Sequence, residues 1–382
     1  MRVQIIFWLS AVAIFYAYAG YQILLWLISF FIKAPIRKSD ITPSVSLVIS
    51  AYNEERVLPK RIENALALDY PRHLLEIAVI SDGSTDNTNN IIHSFAQRSQ
   101  YVIPCIVPKN KGKSACLNEF VPRLNGEIII FSDANSFYEG DLVRRIVRPF
   151  ADPEIGLVTG GTQYIASQAS KSSSATGLYS RLEKLTKSLE TKTGSCVGAD
   201  GAAFAIRKSL FDPLKPDEIN DLVIPFHIIS KGYRGILEPS ISCTEEIPCQ
   251  REGFKRQVRI TARTLRAIFR YRHLLSPFRY PMFSFCLFSH KIMKFLVPFF
   301  LVALLITNVF LSVGDGFFYK IVLALQAIFY GCALIGFLER AVGKTMKLTG
   351  SCDAFLTVNL AYVAGWLKYL AGETYTSWKP KR

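Results

Sequence analysis

Several short polar clusters interrupt an otherwise apolar pattern, and each contains residue types that can do chemistry. FSDAN (131–135) places two oxygen donors, Asp133 and Asn135, at i and i+2 just beyond an apolar run. Two such donors can face one divalent cation, and Mg²⁺ or Mn²⁺ takes oxygen ligands of this kind together with substrate phosphates. SDGSTDNT (81–88) puts Asp82 at the end of another apolar run, before a glycine turn. A carboxylate there can accept from a nucleobase imide N–H or from ribose hydroxyls. The competing account is helix capping, with Ser84 or Thr85 as N-cap and Asp86 in the first turn. NKGKSACLN (110–118) offers Lys113 to a diphosphate. It is not a Walker A loop, because the glycine required five residues before Gly112 is Val107. GADGAAFAIRKSLF (198–211) packs small residues around Asp200 and Gly201, which lets backbone and ligand approach closely. INDLVIPFHIISKGYR (219–234) sets Asp221 at the start of an apolar-rich helix, where plain capping is the alternative.

The elements that position these clusters are legible around them. VSLVIS (45–50), LEIAVIS (75–81), VIPCIV (102–107) and EIIIFSD (127–133) are apolar runs bounded by turn signals, the pattern of buried parallel strands. Helix-length stretches at 56–68, 86–98 and 113–123 alternate with them. Alternation of this kind predicts a doubly wound α/β sheet, with ligands at the carboxyl ends of the strands.

On either side of this block the composition changes. Of the 382 residues half are hydrophobic and a fifth charged, which excludes a disordered or fibrous chain. Residues 3–32 carry no charge and are long enough to cross a bilayer. Lys33, Arg37 and Lys38 follow that segment, against Arg2 alone before it, so the positive-inside rule places the following segment in the cytoplasm. Further spans are expected at 295–313 and 317–337, with a weaker fourth at 354–372, while 277–289 reads as a short interfacial segment. The expected organisation is an N-terminal span and basic flank (1–43), a globular domain (44–250), basic and interfacial helices (251–291) and a C-terminal membrane region (292–382).

The net charge is +15. Between Arg251 and Lys294 stand eleven basic residues and one acid, Glu252, so two thirds of the excess lies just before the apolar cluster. Lys255, Arg259, Arg263, Arg266 and Arg270 recur at helical spacing and form a stripe suited to lipid headgroups or to an acceptor's pyrophosphate. A membrane protein that binds nucleic acid is the competing class, but no recognition motif accompanies the charge. The eight cysteines form no CxxC pair and the five histidines no ligand pair, so neither a zinc site nor a disulfide framework is expected.

Taken in order, SLVISAYNEE (46–55), AVISDGSTDNT (78–88), NKGKSACLN (110–118), IIIFSDAN (128–135), GADGAAFAIR (198–207) and NDLVIPFHIISKGYR (220–234) resemble the family-2 glycosyltransferases. The likeness is to their membrane-embedded members, such as the cellulose, hyaluronan and poly-N-acetylglucosamine synthases. The resemblance spans about 44–295. It implies a GT-A fold, a Rossmann-like α/β domain, beside transmembrane helices. It also implies a metal-dependent inverting transfer from a nucleotide-diphosphate sugar, usually uridine-linked, with Mg²⁺ or Mn²⁺ as cofactor. Carried over residue by residue, Ala51, Tyr52, Glu54 and Asp82 border the nucleotide, with Asp82 on the base. Lys113 lies near the phosphates, and Asp133 with Asn135 holds the metal. Asp200, Gly201, Arg256 and Arg259 face the acceptor, and Asp221 is the catalytic base.

The expected setting is a multi-pass protein of the cell membrane with a cytoplasmic catalytic domain. It would act on a lipid-linked or growing glycan in exopolysaccharide or envelope-glycan synthesis, without nucleic acid and with room for self-association or polysaccharide-assembly partners. The alternative is a processive synthase that polymerises and exports one glycan. Three departures from the family pattern bear on these readings. Asn135 replaces a second Asp of the metal triplet, and Asn220 stands where Glu is frequent. The motif Q-x-x-R-W survives only as Arg256-Gln257-Val258-Arg259-Ile260, without the tryptophan that contacts an acceptor sugar. The first two keep a catalytically inactive anchor or partner subunit as a third, minor reading, and the missing tryptophan counts against long-chain polymerisation.

Overall fold

The computed structural model describes residues 1–165, 173–246, 253–314, 316–342 and 346–375. They form two compact units. One comprises Ile28–Pro248, Ala267–Cys286 and Thr374–Arg382, the other Met1–Leu27, Cys249–Arg266 and Leu287–Glu373. The boundary expected at 250/251 lies outside the described residues.

The first unit is built on eight strands: β1 (Val45–Ala51), β2 (Leu75–Asp82), β3 (Val102–Val107), β4 (Ile128–Asp133), β5 (Phe137–Tyr138), β6 (Ile155–Ile165), β7 (Phe204–Arg207) and β8 (Arg234–Glu246). They make one sheet in the order β3-β2-β1-β4-β7-β6-β8-β5. The four apolar runs become β1 to β4, and all their mutual pairings are parallel. All seven residues of the central strand β1 are buried, which is why it reads as an apolar run and not as an alternating one. Pro104, which cannot donate to a ladder, sits in β3 at the sheet edge.

Beyond β4 the doubly wound expectation gives way to a mixed sheet. β7 runs antiparallel to both β4 and β6, β6 pairs parallel with β8, and β5 is antiparallel to β8. The sequence there alternates less cleanly, and its small residues leave no strand signature. The result is a Rossmann-like half joined to a mixed half, the GT-A arrangement.

Helices Leu58–Leu66, Thr88–Arg98 and Lys113–Phe120 fill the crossovers. In the first, Leu58, Arg61, Ile62 and Ala65 are buried at i, i+3, i+4 and i+7, so a guanidinium occupies one position of an apolar stripe. Two of these helices begin two residues later than their patterns suggest, because the residues before them are drawn into loops.

Among the described residues three helices are long and apolar enough to cross a membrane, Arg2–Phe31, Pro281–Ser312 and Phe317–Ala341, and most of each belongs to the second unit. The first and third fall where expected. In the second, residues 281–289 of the segment read as interfacial are continuous with the span: Pro281 lies in the first turn, where its missing N–H costs nothing, and the helix passes through a π-helical stretch, Phe288–Ile292, and Pro298 to Ser312. The expected fourth span forms a helix, Lys347–Leu370, but does not reach the apolarity of the other three. It carries Asp353, paired with Arg340 at 3.2 Å, together with Asn359 and Lys368. Tertiary contacts within the unit are specific: Trp366 Nε1–H donates to the Phe295 carbonyl (3.0 Å), and the Phe295 ring meets Tyr362 edge-on.

Candidate functional site

Strand register brings the polar clusters to one edge of the sheet. Ser50 pairs with Asp133, and Ala51 with Ser81, so the ends of β2, β1 and β4 lie side by side. Asp82 and Asp133 are therefore the final residues of two strands that flank the same central one.

The loops after β1 and β2 are laced together. Asn53, with φ +56°, donates its N–H to Ser84 Oγ (3.1 Å) and accepts the Thr85 N–H on Oδ1 (2.8 Å). The Glu54 N–H donates to Thr88 Oγ1 (2.9 Å), the Glu55 N–H to Asp86 (3.1 Å), and the Asn87 N–H to Glu55 (3.0 Å). Ser84, Thr85 and Asp86 thus join two loops, and the helix starts later, at Thr88. Burial raises the Asp86 carboxyl, but hydrogen bonds from Thr88 and from the Glu55 N–H outweigh it and hold the group below the usual carboxylate range. Ala51 and Glu54 are buried beneath this lacework, and Tyr52 is half-buried.

Asp82 is 1% exposed. Its two carboxylate oxygens accept the N–H groups of Lys111 (2.8 Å) and Gly112 (3.0 Å), and Cys116 Sγ–H donates to the first of them (3.3 Å). Two glycines make this possible. Gly83 at φ +68° passes so close to the Asn110 backbone that a Cβ would lie 2.3 Å from its nitrogen, and Gly112 turns at φ +92° into the helix Lys113–Phe120. Asp82 therefore fixes the loop that delivers Lys113. Lys113 Nζ reaches Asp133 Oδ1 at 2.7 Å, and both groups retain access to solvent.

Two further loops close on the same place. Asp200 turns back to the sheet, accepting the Thr162 N–H (2.9 Å) and hydroxyl (2.8 Å) as well as the Ala202 N–H (3.2 Å). This sets Gly201, whose Cα faces both acids: a Cβ there would meet Asp221 Oδ2 at 3.2 Å and Asp133 Oδ2 at 3.9 Å. Asp221 is the second residue of the helix Asn220–Ser230, and its carbonyl accepts the Ala199 N–H (2.7 Å). Asn135 is half-buried two residues past Asp133. Asp133, Lys113, Gly201 and Asp221 are thus assembled from four segments. Arg256 and Arg259 lie on the helix Gly253–Arg270, in the part of it that belongs to the second unit, with Arg256 exposed.

Sequence reasoning missed three parts of this arrangement. Thr162, which holds Asp200, lies in a strand without a clear signature. Arg61 is fully buried, donating to Asn64 (3.0 Å) and to Ser132 (3.1 Å) directly before Asp133, with its guanidinium 4.3 Å from the centre of the Tyr138 ring. Its signal was a charge at an apolar-period position. Arg270, expected in a stripe suited to lipid headgroups or to an acceptor's pyrophosphate, pairs with Asp217 and Glu218, and Arg266 donates to the Glu373 carbonyl.

Residues 46–214 match the family model "Glycosyl transferase family 2". The chain is similar to poly-β-1,6-N-acetyl-D-glucosamine synthase of Staphylococcus aureus, 25% identical over 221 residues that cover 56% of this chain and 53% of that protein. It thus spans about half the length of these curated relatives. A shorter stretch of 118 residues is 36% identical to β-monoglucosyldiacylglycerol synthase of Synechocystis, covering 30% of this chain and 24% of the relative. Among solved structures, a mannosyltransferase of Pyrobaculum calidifontis in complex with GDP-Man and Mn²⁺ superposes with a TM-score of 0.73 at 20% identity, covering 95% of this chain and 99% of that one. That likeness is one of fold. Residues 46–214 thus match the family-2 glycosyltransferase model, the fold is of the GT-A type, and the chain is similar to a polysaccharide synthase over about half of its length.

Proposed function

We propose that the protein transfers a sugar from a nucleotide-diphosphate donor, a UDP-sugar, to a lipid-linked or growing glycan, with inversion at the anomeric carbon. One observation carries the reading: the carboxylates of Asp133 and Asp221 converge on Gly201, and Lys113 stands on Asp133. A displacement of this kind needs a group that takes the acceptor's proton and cations that stabilise the departing diphosphate, but no covalent nucleophile. Asp221 takes the hydroxyl proton. Lys113, held by the loop that Asp82 anchors, offers positive charge to the phosphates. Asp82 acts on the nucleotide side chiefly through that loop, and the laced loops of Ala51, Tyr52 and Glu54 border the nucleoside. Asp200 and Gly201 shape the acceptor side.

The donor set suits a hard divalent cation. Asp133 and Asn135 present oxygen atoms, and among the described residues no group of three or more His, Cys, Asp or Glu could hold a metal by itself. Mg²⁺ and Mn²⁺ are commonly held by one or two carboxylates plus substrate phosphates, so the cation and the diphosphate are expected to bind together. Bound there, the cation supplies Lewis-acid stabilisation of the leaving group. The Pyrobaculum structure, of the same fold, holds a nucleotide sugar and Mn²⁺.

The apolar helices and the basic residues after the first of them support a multi-pass membrane protein with its catalytic unit in the cytoplasm, serving exopolysaccharide or envelope-glycan assembly. A second reading, processive polymerisation, is favoured by the poly-N-acetylglucosamine synthase relatives. Ile260 in place of the acceptor-stacking tryptophan favours single transfer. Product length separates the two.

The deciding experiment measures nucleotide release from a panel of nucleotide-sugars by detergent-purified protein with Mn²⁺ or Mg²⁺, using a lipid-rich membrane extract as the acceptor source. Asp221→Asn should lower transfer by about 10²- to 10⁴-fold while donor affinity is kept. Loss of donor binding in a folded Asp221→Asn variant would overturn the assignment of the base.

A further inference from the structure

Several groups that the transfer chemistry does not use are gathered just before Asp221. Arg270, the last residue of the helix Gly253–Arg270, donates to both oxygens of Asp217 (3.1 and 2.9 Å) and to Glu218 Oε1 (2.7 Å). The Glu218 side chain is 1% exposed. The Tyr271 hydroxyl donates to the same Glu218 oxygen (3.2 Å) and lies 2.8 Å from His227 Nε2, on the helix that begins at Asn220. Burial holds His227 below the ordinary histidine range. Because the Tyr271 O–H is given to Glu218, its oxygen accepts from His227 Nε2–H, and a chain of donors runs from His227 through Tyr271 to Glu218. Glu218 Oε2 accepts the Lys215 N–H (2.8 Å), and the Glu218 carbonyl accepts the Ser114 hydroxyl (2.8 Å). Ser114 follows Lys113, the partner of Asp133.

Glu218 is thus tied on one side to the element that carries Lys113 and on the other to the end of the basic helix, three residues before Asp221. Two adjacent carboxylates repel each other, and a nearly inaccessible one without a cation is costly. The planar guanidinium of Arg270 answers both at once, which the point charge of a lysine cannot do as well.

We propose that Arg270 and Glu218 are positioning residues for the transfer. By fixing residues 215–219 they hold Asp221 where it meets the acceptor hydroxyl. The proposal rests on the reading of Asp221 as the base. It makes Arg270 an element of the reaction geometry, outside the lipid-facing stripe.

The test uses the full chain in detergent and four variants: Arg270→Gln, Arg270→Lys, Tyr271→Phe and Asp221→Asn. Nucleotide release is measured from UDP-N-acetylglucosamine and UDP-glucose with Mn²⁺ and a bacterial total-lipid extract, and amide hydrogen exchange is followed at 215–222 and at 45–51. Arg270→Gln should lower kcat by about 10²-fold, as expected for a reacting group displaced by about 1 Å, with donor KM unchanged. Arg270→Lys should recover part of the rate. Exchange should quicken at 215–222 and stay unchanged at 45–51. A retained kcat, unaltered exchange at 215–222, or a rise in donor KM that accounts for the loss would overturn the proposal. If Arg270→Gln does not fold, Tyr271→Phe decides, with the same pattern and about a tenfold loss. Should wild-type protein be silent, or Asp221→Asn retain its rate, the base assignment fails, and the exchange result still decides whether Arg270 anchors the loop.

Discussion

Asp82 and Asp133 end neighbouring strands on either side of β1, and each follows an apolar run in the sequence. The structure gives them opposite situations. Asp82 is closed to solvent and accepts two backbone N–H groups, whereas Asp133 keeps a third of its side chain exposed and faces an ammonium and a second carboxylate. The difference lies in what comes next. After Asp82 a left-handed glycine folds the chain back, so that the 110–112 loop lies over the carboxylate. After Asp133 the chain turns away through Ala134 and leaves the acid at the sheet edge. A strand-end aspartate is thus closed off or left open to solvent according to whether a neighbouring backbone can reach it.

Substitutions test this contrast, beginning with the largest effect. Asp133→Ala should abolish Mn²⁺-dependent donor binding and cost about 10²- to 10³-fold in transfer, yet leave thermal stability nearly unchanged, because a part-exposed ion pair contributes less than about 1 kcal/mol. Calorimetric titration of UDP with and without Mn²⁺, beside a melting curve, checks both halves. Asp82→Ala should behave the other way, with a loss of about 2–4 kcal/mol from two charge-assisted backbone hydrogen bonds. Any loss of donor affinity should then follow from displacement of Lys113. An Asp82→Ala protein as stable as wild type would erase the distinction.

A milder change sharpens the comparison. Asn135→Asp restores a charge beside Asp133 and should tighten the apparent Mn²⁺ requirement several-fold, about 1 kcal/mol, seen as a lower half-saturating Mn²⁺ concentration. The smallest expected effect lies away from both strand ends. His227 is held below its ordinary value by burial, so the unfolded chain binds the extra proton first. Its contribution is present above about pH 6.5 and is lost as the pH falls below that. His227→Gln should flatten this part of the melting-temperature profile between pH 7 and 5.

Much of this was readable in the residues. The parallel core and its two strand-end carboxylates, Asp82 and Asp133, announce themselves, because a buried strand must be apolar along its length and its polar end is then conspicuous. The helices fell in place except at two of their starts; before the second, Ser84 and Thr85 bond across to the β1 loop, and Asp86 divides its oxygens between that loop and the first helical N–H, of Thr88. The mixed half was harder: Gly160, Gly161 and Thr162 carry no period, and the pairing of β6 with β8 depends on residues some eighty positions apart in sequence. Arg270 looked like one rung of a charged stripe, and its partners Asp217 and Glu218 carry no mark of that pairing. Pair interactions distant in sequence are set by tertiary closure, and composition does not record them.

Pro104 has one more consequence. It occupies β3, the outermost strand on the parallel side, and among the described residues β3 has no neighbour beyond it. A free strand edge is a template for pairing with another chain, and a residue without an N–H leaves a gap in that template. Copies of this chain brought close together are therefore discouraged from zipping their sheets edge to edge along β3. Colloidal safety at this edge rests on a single imino acid.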